Sequence, residues 1–341
     1  MWHPDEYMEA LYAGVPPELR FAATDAEAWR VWREKLRHRF VSSLGGFPDR
    51  PAPLEPRRLE RVTCDGYVRE RVEFTTYAGL RCPAYVLVPT GREARGSRLP
   101  AVVAFHGHGY GSREVVGLSP TDEPILDRPT YQKNFGVELA KRGFLVVAPE
   151  MFGFGDRRLR EDSERGRSYS CDRLSKALLH MGRTMAGHRV YEGMRAVDYL
   201  CMREDVDAER IGCMGISGGG LVAAFTAALD ERIRSTAVSG YVNTFKASIL
   251  DIDHCIDNYV PGLGEYAEMS DIVSLIAPRA LLMEAGTKDD IFPLAAALEA
   301  YDRIREAYEV LGVPSNLARD VFEGGHEIGG AHAYDWLERT V

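Results

Sequence analysis

The sequence lacks several signals, and each absence removes a class of function. No apolar stretch approaches the roughly 18 residues needed to span a bilayer. The start, Met1-Trp2-His3-Pro4-Asp5-Glu6, has neither the basic nor the apolar region of a secretory signal. A soluble cytoplasmic protein with no membrane contact is the expectation. The six cysteines, Cys64, Cys82, Cys171, Cys201, Cys213 and Cys255, show no C-x-x-C spacing. Neither a zinc site nor a disulfide framework is signalled, and most should be free and buried. Positive charge is not in excess: 42 Lys and Arg stand against 51 Asp and Glu, a formal net charge of -9. The basic residues alternate with acids in runs such as Arg157 to Arg167, which excludes a nucleic-acid footprint. Internal repeats and low-complexity tracts are also missing.

What remains is an ordinary globular composition, 45% hydrophobic and 27% charged over 341 residues, with enough apolar residues for a sheet covered on both faces. Residues 1–60 read as a helical extension. Thr24 and Asp25 can cap a helix whose Trp29, Trp32, Leu36 and Phe40 share one face. It can pack on the core or form a subunit contact in a homo-oligomer. Gly45-Gly46 and Pro48, Pro51, Pro53 and Pro56 end it, and a catalytic domain is expected over 61–341. There, eight candidate strands lie near 70–77, 82–88, 100–105, 144–148, 210–215, 235–239, 279–284 and 318–322. The first two suit a hairpin. The later ones alternate with helix-length segments at 131–142, 187–203, 218–229 and 294–311, which predicts an α/β architecture with a mostly parallel sheet and helices on both faces. Apolar runs such as Ala101 to Phe105 and Phe144 to Ala148 fit strands buried on both sides. Connections at 107–130, 150–186 and 241–270 exceed what an α/β unit needs. They are candidate cap segments over a site at the carboxyl ends of the strands.

The sharpest motif is Gly215-Ile216-Ser217-Gly218-Gly219-Gly220, which follows an apolar strand and opens an apolar helix. The four-letter pattern alone is weak, but its strand–turn–helix setting is that of a nucleophile elbow. Small residues two before and two after Ser217 allow the tight backbone that exposes its hydroxyl. The rival reading is a phosphate cradle at a helix N-terminus, but no phosphate-loop lysine follows. A serine hydroxyl needs a base and an orienting acid, and an elbow of this kind is followed in the chain by the acid and then the histidine. His326, in the glycine-rich turn after the last strand, is the candidate base, because His332 falls inside the terminal helix. Asp289 and Asp290 compete for the acid on the turn after the strand that ends at Glu284.

With these residues in place, the chain resembles the dienelactone-hydrolase-like and acetyl-xylan-esterase-like branch of the α/β hydrolases over about residues 65–341. The likeness also rests on Ala148-Pro149-Glu150-Met151-Phe152-Gly153-Phe154-Gly155, on Gly187 through Asp198-Tyr199-Leu200, and on Ile276-Ala277-Pro278-Arg279. It implies the α/β-hydrolase fold and hydrolysis of small-acyl esters of sugars or aryl alcohols, with no cofactor. It favours Asp289 as the acid, in a G-x-x-D-x-x-x-P arrangement, and leaves Asp290 to cap the next helix. His106-Gly107-His108 resembles an esterase oxyanion loop, so the main-chain N–H groups of His108 and Gly218 are the expected oxyanion donors. Dienelactone hydrolases proper use cysteine where this chain has Ser217. Tyr110, Phe152, Phe154, Tyr241 and Tyr259 are candidate pocket walls. Asp251, Asp253, His254, Cys255 and Asp257 cluster at spacings that suit a cation, although a polar cap meeting solvent and arginines explains them without a metal. A peptidase or amidase, an acyltransferase using the same triad, and a non-catalytic binding protein are the rival functions.

Overall fold

The computed structural model describes residues 2–90 and 98–341. Two helices, α1 (Asp5–Ala13) and α2 (Ala26–Ser43), precede the strands β1 (Arg57–Cys64), β2 (Tyr67–Tyr77), β3 (Leu80–Pro89) and β4 (Leu99–Phe105). Next come α3 (Phe135–Lys141), β5 (Leu145–Pro149), α4 (Arg160–Glu164), α5 (Cys171–His180) and α6 (Met185–Met202). The chain continues through β6 (Val206–Ile216), α7 (Gly218–Leu229), β7 (Ile233–Ser239), α8 (Leu263–Tyr266) and α9 (Met269–Ser274). It closes with β8 (Ala280–Gly286), α10 (Leu294–Val310), β9 (Leu317–Phe322) and α11 (Ala331–Thr340).

The strands form one sheet in the order β1-β2-β3-β5-β4-β6-β7-β8-β9. Its first three strands pair antiparallel, as does β3 with β5. Every pair from β5 to β9 is parallel. This is the α/β-hydrolase fold, with nine strands rather than eight among the described residues. The added strand is β1, whose Arg57, Arg58, Glu60 and Arg61 are all exposed. Charge on an edge strand deters pairing with another chain, and it also removes the apolar alternation by which a strand is recognised in sequence.

The period of two along the central strands divides the core. Ala101, Val103 and Phe105 of β4 and Leu145 and Val147 of β5 face one cluster, with α2, α6, α7, α9 and α10. Val102, Ala104, Val146 and Ala148 face the other, with α3 and α11. Both faces are covered, as continuous apolar strands require. The N-terminal helix α2 starts where Asp25 Oδ1 accepts the N–H groups of Glu27 (3.0 Å) and Ala28 (2.8 Å). Its Trp29, Trp32, Leu36 and Phe40 are buried in the first cluster. Of the two roles open to this helix, packing on the core is the one observed. Burial of a side chain such as Leu36 or Phe40 stabilises by roughly 1.5–3 kcal/mol. All six cysteines are free, but only Cys82, Cys171 and Cys213 are buried, fewer than expected. No described helix is long and apolar enough to cross a membrane.

Candidate active site

The turn between β6 and α7 carries Ser217 at φ 57°, ψ −129°. For a residue with a Cβ this is strained backbone, costing of order 1–3 kcal/mol, and it requires close packing around it. A Cβ on Gly215 would lie 2.2 Å from the Gly219 carbonyl oxygen, and one on Gly219 would lie 2.1 Å from that of Phe105. The glycines are therefore needed for contact between the elbow and β4. Ser217 N–H donates to Ser239 O at the end of β7 (3.1 Å), which fixes the turn from the other side.

Asp289 and His326 come together from the turns after β8 and β9. His326 Nδ1 lies 2.8 Å from Asp289 Oδ2, while Asp289 Oδ1 accepts the N–H groups of Ile291 and Phe292, both at 2.9 Å. Burial raises the Asp289 pKa, but His326 and the two main-chain donors outweigh it and hold the carboxyl below its ordinary range. The imidazole is sandwiched between Phe292 (centroids 5.5 Å, 20°) and Tyr131 (5.7 Å, 23°). Its Nε2 is buried and has no hydrogen-bond partner among the described residues. A Cβ on Gly240, the residue after Ser239, would lie 3.1 Å from the His326 ring, so the base sits against the strand end that anchors Ser217. Buried Glu284 holds the next stretch of the loop by accepting Gly329 N–H (3.1 Å), Gly330 N–H (2.6 Å) and the Ser239 hydroxyl.

The competing residues fall elsewhere. Asp290 is exposed, and it does not cap α10, whose N-cap is Pro293 with no side-chain bond. Proline occupies the capping position, and Asp289 has taken the free N–H groups of the preceding turn. His332 pairs with Asp320 at 2.8 Å on the surface of α11.

The loop after β4 is held by its histidine. His106 is fully buried, and burial pushes its pKa down to about 3. The neutral ring accepts Met151 N–H at Nε2 (3.0 Å), which leaves Nδ1 to donate to Gly107 O (2.8 Å). Gly107 N–H donates to Gln132 Oε1 (3.0 Å), and Tyr131 Oη donates to His108 O (2.7 Å). Glu150 at the end of β5 accepts both the N–H (2.9 Å) and the hydroxyl (3.0 Å) of Ser112. The His108 and Gly218 N–H groups donate to no acceptor among the described residues, as an oxyanion site requires.

The His108 side chain belongs to a group that sequence reasoning did not assemble. Its Nε2 lies 3.1 Å from Asp257 Oδ2, and the same oxygen takes Arg189 Nη1 at 2.6 Å. Asp257 is nearly fully buried, and against the penalty of burial His108 and Arg189 hold its pKa far below the ordinary carboxylate range. Phe154 packs edge-on to both His106 and His108 (5.1 Å each) and beneath the Arg189 guanidinium (4.8 Å). His254 packs edge-on to Phe292, and burial lowers its pKa. Of the acidic cluster, Asp251 meets Lys246 (3.3 Å), Asp253 is exposed, and only Asp257 enters the site. His108, Cys255 and Asp257 bring ligand atoms within 4.8 Å of one another. A cation there would face the Arg189 guanidinium already bound to the shared carboxylate, so these residues do not fit a metal.

The aromatic candidates are spread out. Tyr110 and Tyr259 are partly exposed, and their hydroxyls donate to Leu118 O (3.1 Å) and Ile249 O (2.9 Å). Phe152 stacks on His188. Tyr241, expected at a pocket wall, is 1% exposed and packs on Phe225 and Phe292 in the core.

Comparison with known proteins agrees with this architecture. The profile of the Abhydrolase family matches residues 8–323. YtaP of Bacillus subtilis (strain 168), itself only provisionally named a hydrolase, is 33% identical over 282 residues, covering 80% of this chain and 86% of that protein. Among solved structures, a Bacteroides fragilis NCTC 9343 protein provisionally named an acetyl xylan esterase superposes with a TM-score of 0.78 at 20% identity, covering 95% of this chain and 83% of its own. A glucuronoyl esterase from Solibacter usitatus does so with a TM-score of 0.64 at 15% identity, covering 95% of both chains. At such identities the structural likeness is one of fold.

Proposed function

The chain belongs to the Abhydrolase family, and from that premise we propose that it is a serine carboxylic-ester hydrolase working through an acyl-enzyme, with small-acyl esters of sugars or aryl alcohols as substrates. The observation that carries the reading is the 2.8 Å pair of His326 Nδ1 and Asp289 Oδ2, with a buried, unpartnered Nε2 on the same ring and a strained serine elbow beside it. Resemblance to acetyl-xylan-esterase-like proteins supports the small acyl group.

In the first half-reaction Ser217 Oγ attacks the ester carbonyl while His326 Nε2 takes its proton. Asp289 holds the tautomer and stabilises the imidazolium that forms. Negative charge on the carbonyl oxygen meets the main-chain N–H groups of His108 and Gly218. The intermediate collapses, and the alcohol leaves with the proton from His326. Water, deprotonated by the same nitrogen, then releases the acid.

The test is fluorophosphonate labelling with an ester panel running from acetyl to octanoyl on aryl and sugar alcohols. Labelling should be confined to Ser217. Ser217→Ala should abolish hydrolysis, and acetyl esters should turn over fastest. Undiminished hydrolysis by Ser217→Ala overturns the mechanism, and a preference for long chains overturns the small-acyl assignment. Faster cleavage of peptide anilides than of short esters would make the protein an amidase.

A further inference from the structure

The carboxylate of Asp257 is shared by two bases, and their arrangement is not symmetrical. Arg189 is fully engaged: Nη1 contacts Asp257, Nη2 and Nε donate to Phe152 O (2.9 and 3.1 Å), and Nη2 also meets Cys171 Sγ (3.1 Å). His108 approaches Asp257 through Nε2 alone, at ion-pair distance but without hydrogen-bond geometry. Its Nδ1 has no hydrogen-bond partner among the described residues, and this edge of the ring faces the elbow. A Cβ on Gly218 would lie 3.0 Å from Nδ1 and 3.1 Å from Cε1. A side chain there would press the ring back by a few tenths of an ångström.

Resting on the ester-hydrolase reading above, we infer that the His108 side chain is a further catalytic residue, presenting Nδ1–H as a charged donor to the oxyanion beside the main-chain N–H groups of His108 and Gly218. Burial disfavours the charged ring, but the negative charge of Asp257 beside it raises its pKa well above the ordinary value. The ring, Arg189 and Asp257 then carry one net positive charge, held where water is scarce. An isolated buried cation is costly, and the reaction supplies its counter-charge: as the bond from Ser217 Oγ to carbon forms, the carbonyl π pair moves onto oxygen. His108 transfers no proton. When the pair returns and the bond to the alcohol oxygen breaks, His326 provides the proton and the His108 N–H bond stays intact. Charge-assisted donors are the stronger ones, and loss of one oxyanion donor costs about 10²–10³ in kcat.

The experiment compares wild type, His108→Ala, His108→Gln, Asp257→Asn and Ser217→Ala on p-nitrophenyl acetate from pH 5 to 10. It adds the affinity of each for a trifluoromethyl ketone, which captures Ser217 as a tetrahedral oxyanion, and a thermal melt. His108→Ala should lower kcat about 100-fold with KM within about twofold, and ketone affinity should fall in parallel. His108→Gln, which restores a neutral donor, should recover part of the loss. Because the raised pKa keeps the ring charged at low and neutral pH, wild-type kcat should fall on the alkaline side. Asp257→Asn should move that limb to lower pH. The groups facing the ring are Asp257, His254 and Cys255 from the segment after β7, Arg189 of α6, Cys171 of α5, His106 and Tyr169. Should Asp257→Asn fail to fold, the His108 variants, which leave the Asp257–Arg189 pair intact, decide the matter. A folded His108→Ala with wild-type kcat and ketone affinity overturns the inference, as does a loss confined to KM for acidic esters. Full activity in Ser217→Ala would instead overturn the ester-hydrolase reading.

Discussion

Two histidine–carboxylate pairs stand in one site at nearly the same separation, 2.8 Å for His326–Asp289 and 3.1 Å for His108–Asp257, yet they are built for different chemistry. Asp289 divides its charge between the ring and two main-chain N–H groups. It orients His326 and leaves the far nitrogen open to gain and lose a proton. Asp257 sets one oxygen between two bases, a guanidinium and a ring, while its other oxygen accepts the Asn258 amide (2.9 Å), in a nearly dry pocket, and there Coulomb attraction favours the charged ring. Contact distance alone does not tell a proton relay from a fixed charge. What else the carboxylate holds, and whether water reaches it, decides.

The largest separation of the two pairs should come from Asp289→Asn. Asparagine can still accept the Ile291 and Phe292 N–H groups, so the fold should hold, but its amide favours the wrong tautomer of His326. A kcat loss of about 10⁴ is expected, against about 10² for the loss of the His108 side chain. Equal losses would erase the distinction. Next in size is a stability effect at the other pair. Arg189→Met leaves Asp257 buried with one cationic partner and should cost about 3–5 kcal/mol, read from urea unfolding. The pH dependence of the same measurement separates the members of the pair. Asp257 has a depressed pKa, so its contribution is complete above its unfolded value of roughly 4 and fades as pH falls below it. The raised pKa of His108 does the opposite, contributing in full below its unfolded value near 6.5 and fading as pH climbs through its folded value. Wild-type stability should therefore decline at both ends of the range, and in Arg189→Met the acid-side decline should be shallower.

His326 of the first pair was legible in the sequence, its acid only as a choice between Asp289 and Asp290 that the family resemblance tipped, and the second pair was not legible, for a physical reason. Ser217 and His326 each sit beside a strand end with glycines that free the turn, and the order of elements in this fold brings those ends together. The parallel strands were equally plain, since burial on both faces leaves continuous apolar runs. His108 and Asp257 are joined instead by a cap segment whose path obeys no period, and Arg189 lies among the many polar positions of a long helix. The cluster at 251–257 drew notice for its charge, yet nothing local marks Asp257 as the member that turns inward. The same limit hid β1, whose exposed residues carry no alternation. It also misassigned Tyr241, since an aromatic at a strand end fits a pocket or a core equally well.

The smallest effect belongs to a third pair, His332–Asp320, where a 2.8 Å contact is again present. Asp320 raises the His332 pKa through its hydrogen bond and charge. The imidazole, however, is 72% exposed on α11, outside the site, and water screens what burial would strengthen. His332→Ala should leave kcat, KM and their pH profiles unchanged on every ester, and any small change in melting temperature should vanish in 1 M salt, where screening acts within about 3 Å. A loss of activity would mean that His332 and not only His326 reaches the serine. Silence in His332→Ala beside the collapse expected for Asp289→Asn would establish that the chemistry of each pair comes from its surroundings rather than from its contact.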